Sequence, residues 1–357
     1  MHSKITQEIL GDLANLHQAG AISRFSLWEA TVRFERLQSV HGQASSLMPA
    51  FAEIPAAPLQ RVVFDWCEKA GVELAVLRLD LVDPLISGNK SYKLAGYWHE
   101  AQAMGAKGLI SLGGAHSNHL HALAAAGQRF GFQTVGLLRG EPQQTPTVMD
   151  LVGFGMELHW LGYSGYRARN QPGFWEVWKQ RYPNLFPVPE GGGGPLGLQG
   201  GAVMVGQARA QLAELGWDDY DAWWLACGTG TTLAGLVQAE RGAHPVYGAL
   251  AVPLSHGVPE QAAKWVGVEG YQLFEACRGG FGKVDDELMA FMQASEQAAG
   301  MLLEPLYTAK ALLALCNEVM AGRFESGARL IFVHTGGLQG RRGFGVPSQL
   351  SMPSGAR

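Results

Sequence analysis

The spacing of apolar residues changes character along the chain. Near the start, Ile5, Ile9, Leu10, Leu13 and Leu16 recur at helical spacing, and Leu27, Val32, Leu37 and Val40 follow more loosely. This predicts two N-terminal helices. Residues 45–50, small and proline-containing, read as a linker, and Met48 inside it offers an alternative start for a shorter chain. From Ala75 onward, short apolar runs that end in turn residues alternate with helical stretches. Strands are predicted at 75–79, 107–112, 133–139, 156–161 and 185–188, with helices at 92–104 and 118–130. Beyond the glycines at 191–194, the pattern predicts a helix at 196–215 and strands at 222–226, 245–252 and 328–334. Such a βαβ rhythm implies an α/β protein with parallel sheets covered by helices on both faces.

Composition narrows the class of protein. A chain of 357 residues with 47% hydrophobic content can bury a large core and suggests two domains. Its 48 glycines fall in clusters, which signals tight turns and backbone approached closely by something else. The net charge of -4 leaves no basic field for nucleic acid or an anionic membrane. Cys67, Cys227, Cys277 and Cys316 are widely spaced, without a CxxC pair, and read as buried free thiols of a reducing compartment. No run approaches the roughly 18 apolar residues of a membrane helix, and the N-terminus lacks a secretory apolar core. The expectation is a cytoplasmic protein.

Two strand-to-helix turns and three further segments carry candidate chemistry. Cys227-Gly228-Thr229-Gly230-Thr231-Thr232 follows an apolar strand and opens an apolar helix, so backbone N–H groups, the helix dipole and threonine hydroxyls can converge on an anion. No Gly-Lys-Ser/Thr follows, which excludes a nucleoside-triphosphate loop. A dinucleotide site would need a full G-x-G-x-x-G and an acidic residue about 20 positions on, whereas Glu240 falls inside the helix. A tight turn without ligand stays open as the plainer reading. Gly113-Gly114-Ala115-His116-Ser117-Asn118-His119 likewise opens a helix, with N–H groups suited to a carboxylate or Ser117 acting simply as a cap. The histidines here lack metal-ligand spacing. Lys90 lies between small and amide residues in Ser87-Gly88-Asn89-Lys90-Ser91-Tyr92-Lys93-Leu94. Later come Glu304-Pro305-Leu306-Tyr307-Thr308-Ala309-Lys310 and the strand end His334-Thr335-Gly336-Gly337, which is where parallel sheets deliver ligand groups. A core tyrosine and a strand terminator are the plainer readings of Tyr307 and Thr335.

In order, the segments S-G-N-K-S-Y-K-L, G-G-A-H-S-N-H, C-G-T-G-T-T-L-A-G-L, P-L-Y-T-A-K and H-T-G-G resemble the pyridoxal-phosphate enzymes grouped as 1-aminocyclopropane-1-carboxylate deaminases and D-cysteine desulfhydrases. The resemblance spans about residues 59 to 345 and implies a tryptophan synthase β-like fold of two parallel-sheet, three-layer domains. It implies pyridoxal 5'-phosphate as cofactor and a small amino acid as substrate. Lys90 would hold the cofactor aldehyde, and Lys93 would approach the phosphate cradled by Gly228, Thr229, Gly230, Thr231 and Thr232. Asn118 would bond the phenolic oxygen, and Thr335 would face the pyridine nitrogen. Ser117 and Tyr307 would act beside Lys90 in catalysis. Ser117, Asn118, His119, Phe281 and Thr308 would line the substrate.

Within the group, ring-opening deaminases resemble Tyr-Glu at 307 and 308 with leucine at 335. Thr308 and Thr335 therefore resemble the desulfhydrase pattern and imply α,β-elimination from a D-amino acid. Phe281, in Gly280-Phe281-Gly282, replaces the tyrosine usual in both subgroups, so one phenol is absent. Ring-opening deamination and a cofactor-binding protein with little turnover are the alternatives. The resemblance also implies a homodimer and a division into an N-terminal helical extension at 1–55, a large cofactor domain at 56–93 and 193–350, and a small domain at 94–192.

Overall fold

The chain forms two units, Met1–Met48 and Pro49–Arg357. The computed structural model describes residues 55–346, all within the second unit. The helices expected before residue 47, the linker and Met48 lie outside the described residues.

Among the described residues, ten strands form two sheets. They are β1 (Leu59–Val62), β2 (Glu73–Arg78), β3 (Gly108–Gly113), β4 (Gln133–Leu138), β5 (Glu157–Trp160), β6 (Leu185–Pro187), β7 (Ala222–Cys227), β8 (Val246–Leu250), β9 (Tyr271–Glu275) and β10 (Arg329–His334). The six-stranded sheet has the order β1-β2-β10-β7-β8-β9, and the four-stranded sheet the order β5-β4-β3-β6. Every pairing is parallel except β1 with β2. Six helices matter most for the site: α1 (Asn89–Ala103), α2 (Asn118–Phe130), α3 (Gly200–Arg209), α4 (Thr231–Glu240), α5 (Asp286–Ala299) and α6 (Thr308–Met320).

Both faces of each sheet are apolar because both are covered. In β7, Trp223, Leu225 and Cys227 join Ala75, Leu77, Ile331 and Val333 in one core layer. Ala222, Trp224 and Ala226 join Leu74, Val76, Leu330 and Phe332 in the other. A strand buried on both sides cannot alternate apolar with polar, and the continuous run Ala-Trp-Trp-Leu-Ala-Cys reflects that. The smaller sheet repeats the plan, with Ile110, Leu112, Val135 and Leu137 on one side and Leu109 packed with Trp98 and Leu120 on the other. Trp98 stacks on Phe132 with ring centroids 4.0 Å apart.

The α/β expectation holds, with three differences. Antiparallel β1, where exposed Gln60 and Arg61 sit between buried Leu59 and Val62, and the half-exposed edge strand β9 fall outside the expected strands. The helix expected at 196–215 is broken into Pro195–Leu198, α3 and a 3-10 turn at Leu212–Leu215. The glycines at 191–194 are packed rather than open to solvent. Gly192 and Gly193 are buried, and the Tyr97 hydroxyl donates to the Gly193 carbonyl.

Close helix packing explains part of the glycine content. A Cβ on Gly201 in α3 would stand 2.1 Å from the Gly235 carbonyl of α4, whereas one on Gly206 would meet nothing within 4 Å. Gly201→Ala should therefore destabilise the protein by roughly 1–3 kcal/mol through overpacking. Gly206→Ala should be neutral or stabilising by up to about 1 kcal/mol through helix propensity. Urea denaturation of the two variants tests the contrast, and equal effects would contradict it.

Candidate active site

Five chain segments meet where the two sheets present their strand ends. The first is the start of α1. Gly88, with φ of 72°, turns the chain into this helix, so Lys90 and Lys93 fall in its first turn, one above the other. The Lys90 ammonium donates to Asn89 Oδ1 at 2.8 Å, and Asn89 Nδ2 in turn donates to Thr232 Oγ1 at 2.9 Å. Lys93 Nζ donates to the Gly191 carbonyl at 3.3 Å. Burial lowers the Lys90 pKa to about 8, against an opposing pull from the Glu304 carboxylate. Burial and the neighbouring Lys90 push Lys93 well below the usual lysine range. Two lysines driven toward neutrality by loss of water and held mainly by neutral oxygens would regain their charge beside an anion, so the site favours one.

The second segment is the turn from β7 into α4. Gly230, with φ of 74°, precedes Thr231, and the hydroxyls of Thr229 and Thr231 lie 3.0 Å apart. Thr231 and Thr232 are buried, and the free N–H groups of the first turn of α4 face the same region. Cys227, at the end of β7, is a neutral thiol, because burial raises its pKa to about 12.

The third segment is the start of α2. Ser117 Oγ accepts the Leu120 N–H at 3.2 Å, so it does cap the helix. The N–H groups of Asn118 and His119 come earlier in that turn and stay available in the manner of helix N-termini. Gln339 Nε2 donates to Asn118 Oδ1 at 2.8 Å, which leaves the Asn118 NH2 group as the outward donor. Ser111 Oγ gives its proton to the Val188 carbonyl at 2.8 Å and contacts His119 Nε2 at 2.8 Å. It must therefore accept from His119 Nε2–H. His119 Nδ1 is thus a bare lone pair, buried and without a partner among the described residues. Burial, then Lys90 and Lys93, keep this imidazole neutral.

The fourth segment is the end of β10. His334 is wholly buried; its Nε2–H donates to the Leu302 carbonyl at 2.8 Å, and its Nδ1 accepts the Gly336 N–H at 3.2 Å. Asp80, held by two bonds from Arg78 at 2.8 and 2.6 Å, lies 3.3 Å from the same Nδ1. Thr335 is buried, and its carbonyl accepts the Asn89 N–H at 3.2 Å.

The fifth segment is the turn into α6. The Glu304 carboxylate accepts the N–H groups of Leu306 at 2.9 Å, Tyr307, and Thr308 at 2.8 Å. Burial still raises its pKa to about 7, opposed by those N–H groups. The Tyr307 ring stands against Gly228, where an added Cβ would meet it at 3.0 Å. Burial, then Glu304 and Glu190, raise the Tyr307 pKa, so its phenol stays protonated. Phe281 is 45% exposed and lies 6.0 Å from the Tyr307 ring. Thr308 is the exception among the expected site residues. It is fully buried, and its hydroxyl is engaged by the Glu304 N–H at 2.7 Å and the Glu304 carbonyl at 3.2 Å. Its hydroxyl is thereby occupied by the main chain of Glu304.

Glu304 and His334 lie inside the sequence motifs and Gln339 lies beyond them, and nothing in the local sequence marks the roles these three take in the fold. A lone buried carboxylate or histidine is indistinguishable in sequence from a surface one. Among the described residues, no group of three His, Cys, Asp or Glu side chains is placed to hold a metal ion, and no helix is long and apolar enough to cross a membrane.

The Lys90 amine should react with an acylating reagent in cofactor-free protein with a midpoint near pH 8 rather than near the ~10.4 of a free lysine. Glu304 raises that midpoint, so Glu304→Gln should lower it further. An unchanged or higher midpoint would show that the carboxylate does not act on Lys90.

A family model described as pyridoxal-phosphate dependent enzyme matches residues 53–336. The 1-aminocyclopropane-1-carboxylate deaminase of Burkholderia cenocepacia is 29% identical over 315 residues, covering 80% of this chain and 92% of its own. A Pyrococcus horikoshii protein whose name proposes the same activity is 25% identical over 324 residues, covering 86% and 98%. The crystal structure of an ACC deaminase homologue superposes with a TM-score of 0.70 at 25% identity, covering 82% of this chain and 93% of that one. The chain belongs to the pyridoxal-phosphate dependent enzymes, with a lyase or deaminase of this group as its kind and pyridoxal phosphate as its cofactor.

Proposed function

We propose that the protein is a D-cysteine desulfhydrase-like lyase that converts a small amino acid and water to pyruvate and ammonia, releasing its β-substituent, with sulfide as the product from cysteine. The observation that carries this reading is position 308. Ring-opening deaminases of the resembled group have glutamate there, but Thr308 is 0% exposed and tied to both main-chain groups of Glu304. A larger carboxylate at that point would have to displace the turn.

The residues present fit the cofactor. Lys93, the Thr229 and Thr231 hydroxyls and the N-terminus of α4 suit a phosphate. The local demand for an anion around Lys90 and Lys93, and the unpartnered His119 Nδ1, support a polar occupant between them. Gly192 fits the same reading, because a Cβ there would press on Lys93 at 3.1 Å and fill the space. Pyridoxal phosphate, when bound, supplies an electron sink for negative charge developing at the substrate Cα.

The remaining work falls to the chain's own groups. Lys90, lowered to about 8, is available as an amine near neutral pH and serves as general base for the Cα proton. The N–H groups at the start of α2 and the Ser117 hydroxyl orient the substrate carboxylate. Asn118, its amide set by Gln339, would help hold the cofactor by donating to its phenolic oxygen. Tyr307, kept protonated, donates to the departing group. Thr335 would meet the pyridine nitrogen with a neutral hydroxyl, and Phe281 would bound the substrate space. The two sheets support the division into a large domain of 56–93 and 193–350 and a small domain of 94–192. The reading includes a cytoplasmic homodimer.

A second reading is ring-opening deamination, favoured by the name of the Burkholderia cenocepacia relative. A panel of D- and L-amino acids with β-leaving groups, together with 1-aminocyclopropane-1-carboxylate, tests both. D-Cysteine should give sulfide and pyruvate, and Lys90→Ala should reduce that rate by at least about 100-fold, in line with loss of a general base. Release of 2-oxobutanoate from the cyclopropane substrate without sulfide from cysteine would favour the second reading. A bound cofactor with no product from any substrate would leave a binding protein.

A further inference from the structure

Lys310 stands in α6, three residues after Tyr307, and is only 1% exposed. Its ammonium donates to two main-chain carbonyls, those of Cys277 at 2.9 Å and Gly280 at 3.3 Å. Burying an ammonium is unfavourable unless what it binds repays the lost hydration. Here it binds the two ends of a tight turn, since the Gly280 N–H also reaches the Cys277 carbonyl at 3.2 Å.

That turn belongs to the segment linking β9 to α5, and the segment resists its own conformation. Arg278 is held at φ of 54°, a left-handed value unfavourable for a residue with a Cβ. Its guanidinium is tied down outside the turn by Asp285 at 2.6 and 2.9 Å and by Glu287 at 2.5 Å. Immediately after Gly280 comes Phe281, 45% exposed, whose ring meets Tyr307 at 6.0 Å and 58°. A side chain so exposed is not held by packing around it. Its place beside Tyr307 follows from the backbone beneath it, and that backbone is fastened to Tyr307's own helix by Lys310.

We propose that Lys310 is a positioning residue for substrate selectivity: by clamping the Cys277 and Gly280 carbonyls it sets Phe281 as an apolar wall facing Tyr307. This rests on the reading of the site as one for β-elimination. With Phe281 in place the wall carries no hydrogen-bond donor, and Tyr307 is the one phenol of the pair. A thiol, with a pKa of about 8.5, departs without a second acid, whereas hydroxide does not. The wall therefore selects small amino acids with a soft, weakly hydrated β-substituent, cysteine or β-chloroalanine, over serine.

The test uses the cofactor-loaded full-length protein. In Lys310→Met, amide exchange across residues 276–283 should accelerate roughly tenfold, as for loss of a charge-assisted hydrogen bond, while the cofactor's visible absorbance stays unchanged. KM for the best D-amino acid should rise roughly tenfold or more with kcat within about threefold, and Lys310→Arg should recover most of both. Unchanged exchange, or a loss of kcat at constant KM, would overturn the proposal. If Lys310→Met does not fold, Phe281→Ala decides, because an exposed side chain can be removed safely. It should raise KM for cysteine relative to serine without altering exchange, and an unchanged preference overturns the wall. Should the wild-type enzyme release no 2-oxo acid from any substrate, the elimination reading falls, while the exchange measurement still judges the clamp.

Discussion

The site depends on one contact between two stretches of bare backbone. Gly88 lies so close to the end of β10 that a Cβ on it would stand 2.1 Å from the Thr335 carbonyl oxygen. In the other direction, a Cβ on Gly336 would stand 2.6 Å from the Gly88 Cα. Side chains at either place would force the start of α1 away from the strand. With both absent, the Asn89 N–H reaches the Thr335 carbonyl and the Gly88 N–H reaches Leu79 at 3.0 Å. Lys90 is thereby fixed beside the strand end from which Thr335 is delivered. His334 secures that end from below, tied to Leu302 on one nitrogen and to Gly336 on the other.

Electrostatics around this contact follow from burial more than from pairing. Lys90, Lys93 and His119 are all shifted toward their neutral forms by loss of water, and Glu304 and Tyr307 are shifted toward theirs. With Lys90 brought to about 8 and Glu304 to about 7, the site holds an amine and a carboxyl group that can exchange protons near neutral pH. It also favours a polyanion, since the lysines gain most from one. Glu304 contributes twice, closing the N-terminus of α6 with its oxygens and opposing the fall of the Lys90 pKa.

Several residues join a structural duty to a chemical one. Ser117 caps α2 and, in doing so, consumes only the Leu120 N–H, so the earlier N–H groups remain for a ligand. Tyr307 packs on the bare Gly228 backbone and keeps its hydroxyl. Capping and binding are compatible here because a helix start has more N–H groups than a single side chain can satisfy.

The alternation of short apolar runs with helical stretches determined the α/β class, and β3, β4, β7 and β10 lie within a residue or two of their expected places. The strand-to-helix turns at Ser117 and Gly228 were legible for the same local reason: glycine and small hydroxyl residues at a strand end have few other uses. Local sequence could not reveal β9, whose residues are half exposed at a sheet edge, nor antiparallel β1, whose direction is set by its partner. Nor could it distinguish Thr308 facing a substrate from Thr308 locked onto Glu304. Burial, tautomer and hydrogen-bond partners depend on segments far apart in the chain, so the work of Glu304, His334, Gln339 and Lys310 was decided only by tertiary structure. Sequence determined which residues could suit an anionic ligand, and the close approach of Gly88 to Thr335 helps decide that they come together in one place.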